Sequence, residues 1–182
     1  MMKIIQVVAV AVLLFVFSLG ALAQTPTPPN LLESAWHVQL GGGYNLTSNE
    51  GTNNGFASSI ALRVGNHWSV RADIFSVNSP ATLVTLIGPE FRWSLAQWVR
   101  PNDFINTGRF LLFVNAKAGS AKNSNDVKKL AYSLGGGIEL PVSETFSLRP
   151  LDVSYVRASL FQGGGIWLGN HMRLASGIGL RF

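Results

Sequence analysis

Taken two residues at a time, the chain from Trp36 to Phe182 falls into eight segments of about ten residues, each apolar on one side and polar or small on the other. A repeat of two is the side-chain spacing of a strand, whose successive residues point to opposite faces. The first segment, residues 36–46, sets Trp36, Val38, Leu40, Tyr44 and Leu46 against His37, Gln39, Gly41, Gly43 and Asn45. In the second, 56–64, Phe56, Ile60, Leu62 and Val64 oppose Ala57, Ser59, Ala61 and Arg63. After a Gly65-Asn66 turn, Trp68, Val70, Ala72 and Ile74 oppose Ser69, Arg71, Asp73 and Phe75. The fourth puts Leu83, Thr85, Ile87, Phe91 and Trp93 against Gly88, Glu90 and Arg92. The fifth alternates Phe110, Leu112, Val114, Ala116 and Ala118 with Arg109, Leu111, Phe113, Asn115 and Lys117. The sixth alternates Leu130, Tyr132, Leu134, Ile138 and Leu140 with Ala131, Ser133, Gly135, Gly137 and Glu139.

The seventh segment, 145–157, changes phase part-way. Phe146, Leu148 and Pro150 share a face that Val153 and Tyr155 then take over, which predicts a bulge near Pro150-Leu151 that also accommodates the proline. The eighth, 171–182, has Met172, Leu174, Ile178, Leu180 and Phe182 on one face, interrupted only by Ser176, and His171, Arg173, Ala175, Gly177, Gly179 and Arg181 on the other. No helix pattern appears after the first thirty residues. Connections 47–55, 119–128 and 158–170 read as long and polar or glycine-rich, and those after the second and sixth segments as short. Two connections break the alternation: 77–81 is short, and 94–108 is long.

The polar face settles what the apolar face meets. It carries Arg63, Arg71, Asp73, Glu90, Arg92, Arg109, Lys117, Glu139, Arg149, Arg173 and Arg181. Burying isolated charges costs several kcal/mol each, so a soluble sandwich could not hide this face. In a barrel it becomes a polar interior and the greasy face meets lipid. A soluble barrel with the apolar rows inside is the alternative, but eight strands leave a lumen just wide enough for side chains, and those rows would overfill it. Aromatics also gather at segment ends. Trp36, Trp68, Phe91, Trp93, Phe110, Phe146 and Phe182 fall at one end, and Tyr44, Phe56, Tyr132 and Tyr155 at the other. Two such girdles suit the two membrane–water interfaces. Ten residues at about 3.3 Å each, tilted about 45°, cross an apolar band of about 25 Å. The expected fold is an all-β, eight-stranded antiparallel transmembrane barrel of up-and-down order.

Composition adds an address. Met1-Met2-Lys3, an apolar run from Ile4 to Leu19, and Gly20-Ala21-Leu22-Ala23 describe a secretory signal peptide over 1–23, cleaved near Ala23. A retained anchor is the alternative, since the run is barely long enough to span. Residues 24–34, rich in proline, read as an extended leader, and 35–182 as the barrel. The 182 residues include no cysteine, so no disulfide framework or thiolate metal site is available. The net charge of +5 is not gathered into a tail or stripe, and nucleic-acid binding is not indicated.

With its signal peptide, eight alternating segments and the ending Gly177-Ile178-Gly179-Leu180-Arg181-Phe182, the chain resembles the small outer-membrane β-barrel proteins of the OmpA/OmpX type. The resemblance implies a bacterial outer-membrane location. It also implies that a terminal Phe with alternating apolar residues before it, here Ile178, Leu180 and Phe182, is the signal read by the barrel-assembly machinery; Ser176 departs mildly from that motif. The resemblance covers the barrel alone, without a peptidoglycan-binding domain.

Candidate chemistry is sparse. Pairing the third and fourth segments about residues 77–82 would set Arg71 and Asp73 alongside Glu90 and Arg92. Pairing the fifth with the sixth would set Arg109 opposite Glu139, with Arg149 brought beside Glu139 by the next turn. The expectation is a salt-bridge network that plugs the lumen, in a monomer whose role is structural or surface-interacting: membrane integrity, or adhesion to an unnamed ligand through the loops around 45–55, 118–128 and 158–170. Its other partner is outer-membrane lipid. A narrow anion-preferring pore is the alternative, because bases outnumber acids inside. An envelope enzyme is a distant third. His67-Trp68-Ser69 with Glu90 on the adjacent segment resembles the His-x-Ser pair and carboxylate of the lipid A deacylases, but at the end away from an outer-leaflet substrate. His37 and His171 read as interior polar residues, and no metal or cofactor is expected. The glycine triplets at 41–43, 135–137 and 163–165 precede no helix and lack a P-loop lysine, so they read as tight strand packing and a flexible loop.

Overall fold

The computed structural model describes residues 36–49, 51–78, 81–95, 110–123, 128–159 and 170–182. The expected signal peptide and leader, Arg109, most of the 94–108 connection and Gly163–Gly165 lie outside the described residues. Eight strands follow in order: β1 Val38–Asn49, β2 Gly51–Arg63, β3 Trp68–Asn78, β4 Ala81–Ser94, β5 Leu111–Asn123, β6 Lys128–Pro141, β7 Phe146–Ser159 and β8 Asn170–Arg181. Each pairs antiparallel with its neighbour in sequence, and β8 returns to β1 to close the barrel. Closure removes the edge strands, so no row of unpaired N–H and C=O groups is left to face an apolar solvent.

The strands are staggered as well as closed. A path perpendicular to them from Thr47 runs through Arg173, Ser154, Gly135, Asn115, Glu90, Ser69 and Arg63. From there the Arg63 N–H donates to the His37 carbonyl, so the path rejoins β1 ten residues below its start. Set against eight inter-strand gaps of about 4.7 Å, that offset at about 3.3 Å per residue tilts the strands by about 40°.

The predicted faces are those of the barrel. Leu134, Trp68 and Phe182 are 66%, 52% and 67% exposed on the outside, whereas Glu90 and Glu139 are fully buried. The outside is thus apolar and the inside charged, the reverse of a water-soluble protein and the arrangement that lipid requires. On the wall at the end that holds Trp36 and Phe182, Phe91 meets Trp68 edge-on with ring centroids 4.8 Å apart and Trp93 at a tilt at 5.6 Å, and toward the other end Tyr44 meets Phe56 edge-on at 6.1 Å.

The bulge lies where the phase slip placed it. Ile138 pairs with Leu151 but Leu140 with Leu148, and on the other side the register shifts between Arg149 and Asp152. Glycines let the walls close. A Cβ on Gly43 would collide with the Ser176 carbonyl, and one on Gly177 with that of Gly42, so the β1–β8 seam admits no side chain at this level.

Several expectations need correction. Residues 47–55 are mostly ladder, since β1 runs to Asn49 and β2 begins at Gly51 with Thr47 opposite Asn53. Residues 119–123 belong to β5, leaving only 124–127 between it and β6. Polar residues on both faces looked like loop but suit strands that continue beyond lipid, where water satisfies either face. Leu140, expected outside, is fully buried beside the bulge. The interior is also not uniformly polar: Phe75, Val84, Leu86, Ala121, Ala131, Val156 and Ala158 form an apolar tier in the half away from the termini.

Candidate functional site

The other half of the lumen is where the charges meet. Glu90 on β4 and Glu139 on β6 are its centre. Arg149, from β7, spans both: Nη2 lies 2.7 Å from Glu90 Oε1 and 2.9 Å from Glu139 Oε2, while Nη1 donates to Glu90 Oε2 at 3.0 Å. Arg92 Nε donates to Glu90 Oε1 at 2.7 Å, and Arg181 Nη2 to Glu139 Oε1 at 2.7 Å. Gln39 joins from β1, donating 2.9 Å bonds to Glu139 and to the Ser147 hydroxyl and accepting one from Arg92. Five strands therefore supply side chains that bond directly to one another across the lumen. Each carboxylate satisfies several donors, which offsets the desolvation that a buried charge otherwise suffers.

One step further from the termini, Asp73 is held between Arg71 Nε at 2.8 Å and Lys117 Nζ at 2.5 Å, and Arg71 also donates to Ser59. Arg71 reaches Glu90 only at 3.9 Å, so the two tiers touch loosely. Arg173 stands 3.9 Å from Asp152 and lies 4.6 Å over the Phe75 ring, where the charged tiers meet the apolar one. Between these groups is a cavity of about 30 Å³, lined by Arg71, Asp73, Arg149, Asp152 and Arg173, enough for one or two waters. Asp152 Oδ1, Arg149 Nε and Arg173 Nε have no hydrogen-bond partner among the described residues.

Most of the charges singled out from the sequence come together here. Arg63 is half-buried at the mouth near the termini, its Nε donating to the Gly65 carbonyl. The expected Arg109–Glu139 pair is not the one formed. Leu111 stands opposite Glu139, because β5 is set two residues further along, and Arg109 lies outside the described residues. Asp152 was missed. Its signal was present: carrying the phase slip past Pro150-Leu151 turns Asp152, rather than Leu151, inward. Gln39 and Ser147, on the correct face, drew no notice because they are uncharged.

Two members of the aromatic girdle are misplaced. Trp36 is only 8% exposed and caps the lumen, with the guanidinium carbons of Arg92, Arg63 and Arg181 lying 4.8, 5.7 and 5.7 Å from its ring centre. Converging cations attract an aromatic face, and here that attraction outweighs lipid contact. Phe110 is 6% exposed, and its carbonyl accepts a hydrogen bond from the Leu95 N–H. Tyr44, Phe56, Trp68, Phe91, Trp93, Tyr132, Phe146, Tyr155 and Phe182 stand on outward-facing positions.

The His67, Ser69 and Glu90 constellation does not form a relay. His67 Nδ1 lies 2.9 Å from the Arg92 carbonyl oxygen, and both Glu90 oxygens are engaged by arginines. His171 is buried in the opposite half of the lumen, and His37 is exposed. Among the described residues no group of three His, Cys, Asp or Glu could hold a metal ion.

No family model matches the chain, and no curated protein matches it in sequence. Solved structures do share its fold. The N-terminal β-barrel domain of Pseudomonas aeruginosa OprF superposes with a TM-score of 0.53 at 10% identity, over 81% of this chain and 98% of that one. Neisserial surface protein A gives 0.51 at 14% identity, over 81% and 97%. The outer membrane protein OprG of Pseudomonas aeruginosa gives 0.51 at 10% identity, over 81% and 96%. At such identities the likeness establishes the fold, that of the eight-stranded outer-membrane barrels.

Proposed function

We propose that the chain is a monomeric outer-membrane barrel of a Gram-negative bacterium, with a lumen plugged by its charge network and a structural or surface-interacting role: membrane integrity, or adhesion through the end opposite the termini. The observation that carries this reading is the Glu90–Arg149–Glu139 bridge, which spans the lumen with bonds of 2.7 to 3.0 Å. An open channel needs a continuous water path, and hydrated side chains along it would not be tied to one another from opposite walls. In planar bilayers the purified chain is expected to give no unitary steps; regular ohmic steps would refute the plug.

The alternative is a narrow anion-preferring pore. It is favoured by the charge balance: Arg63, Arg71, Arg92, Lys117, Arg149, Arg173 and Arg181 face four carboxylates, Asp73, Glu90, Glu139 and Asp152. Reversal potentials in a chloride gradient would identify it if conductance appears.

The reading includes assembly through β8. Ile178, Leu180 and Phe182 present 49%, 44% and 67% of their surface outward along the closing strand, where the barrel-assembly machinery would meet them. Lipid of the outer membrane is the partner of the remaining apolar wall.

A further inference from the structure

The charge bridge fills only part of the lumen. In the half away from the termini, five consecutive strands send apolar side chains inward: Phe75 from β3, Val84 and Leu86 from β4, Ala121 from β5, Ala131 from β6 and Val156 from β7. On β4, Leu86 and Val84 lie four and six residues from Glu90. At about 3.3 Å per residue and a tilt of about 40°, they stand about 10 and 15 Å further along the barrel axis. β8 and β1 complete the ring with polar residues that are as dry as the rest, since Asn45, Thr47, His171 and Arg173 are all buried. The Arg173 guanidinium carbon lies 4.6 Å from the centre of the Phe75 ring. β8 and β3 are separated by two strands one way around and four the other, so this cation–π contact reaches across the lumen.

The cavity of about 30 Å³ lies between the two levels, bounded by Arg149 of the bridge and by Arg173 of the apolar tier. Its two closures work by different physics. The side chains of the bridge carry full charges, so parting them leaves groups that water hydrates readily, and the half near the termini would fill. The side chains of the tier offer water neither donor nor acceptor. Such a constriction excludes water, and with it the hydration shell that an ion needs. A water path through this level would leave its lining accessible, whereas Val84 and Ala131 are 0% exposed.

We propose that Phe75, Val84, Leu86 and Val156, with Arg173 laid over Phe75, form a second seal against ions that holds without the Glu90–Arg149–Glu139 bridge. The plugged-lumen reading above is its premise. What it adds is that cutting the bridge wets the cavity from the side of the termini and that the water stops there, at the tier.

The test uses the full chain, which has no cysteine, so Ser59→Cys places a single thiol on the cavity wall. Trp36→Ala/Glu90→Ala/Arg149→Ala removes the cap at the mouth and cuts the bridge. In that background the thiol should react with silver ion at least tenfold faster than in the otherwise wild-type barrel, while planar bilayers stay silent. Adding Phe75→Ser/Leu86→Ser should then bring unitary current steps. Steps from the bridge-cut variant with the tier intact overturn the proposal, and so does silence from a folded variant that lacks both closures. An unchanged thiol rate in the bridge-cut variant also overturns it, since the cavity would then not lie between two separable closures. Folding of each variant is checked by its heat-dependent electrophoretic shift; where the triple background does not fold, Trp36→Ala/Arg149→Ala replaces it under the same criteria. Steps from wild type would fault the plugged-lumen reading itself, whereas steps that begin only when the bridge is cut fault the second seal alone.

Discussion

Removing the Glu90 carboxylate should expose the energetic logic of the lumen. Glu90 receives Arg149 through two nitrogens at 2.7 and 3.0 Å and Arg92 Nε at 2.7 Å, with Arg71 at 3.9 Å. Glu90→Ala leaves these guanidiniums with Glu139 as the one nearby acid in their tier, and Glu139 is already occupied by Arg181 and Gln39. Breaking a buried pair from one side costs about 3–5 kcal/mol, because the surviving charge stays buried and uncompensated. With a urea dependence of about 2 kcal/mol per molar, the unfolding midpoint should fall by about 2 M. Arg149→Met alone should cost less, about 2 kcal/mol, since Arg92 still serves both glutamates at 2.6 and 3.6 Å. The decisive variant is the double, Glu90→Ala/Arg149→Met, which removes one charge of each sign and leaves the Arg181–Glu139 pair intact. It should recover most of the single-variant loss, a coupling of at least about 2 kcal/mol. Urea titrations of tryptophan emission in detergent micelles, cross-checked by the heat-dependent electrophoretic shift, measure all four species. Additivity of the single effects to within about 0.5 kcal/mol would refute the reasoning, since independent sites behave that way.

Four further outcomes follow from the same geometry. Asp73→Asn should destabilise by about 2–3 kcal/mol, by stranding Lys117 and Arg71, and an added Lys117→Met should restore about half of it, read by the same titration. Trp36→Ala should cost about 1–3 kcal/mol through lost cation–π contact and burial, and should remove the emission component of a shielded tryptophan. Gly177→Val places branched carbon against the Gly42 carbonyl and the Gly43 backbone, so the heat-dependent shift should be lost or the stability lowered by at least about 2 kcal/mol. Phe182→Ala keeps the three backbone hydrogen bonds that Phe182 makes to His37 and Val38 while removing its ring. It should reduce insertion in cells several-fold yet lower the stability of assembled barrels to urea by less than about 1 kcal/mol; equal effects on both would remove the assembly role assigned to the ring.

The faces, the number of strands, the bulge and the greasy outer wall were legible in the sequence, because a strand's side-chain period is local and needs no knowledge of the partner strand. Even Asp152 follows once the slip at Pro150-Leu151 is carried forward. Height along the barrel is different. Which inward residues share a tier depends on the ten-residue stagger accumulated around the ring, a property of all eight ladders that no single segment encodes. Only the closed structure could therefore join Glu90 to Arg149 across 59 residues, put Leu111 instead of Arg109 opposite Glu139, and separate a charged half from an apolar one. Trp36 makes the same point. Its alternation matched the outer wall, but three arginines from β2, β4 and β8 converge at one mouth, and their combined charge turned the ring inward.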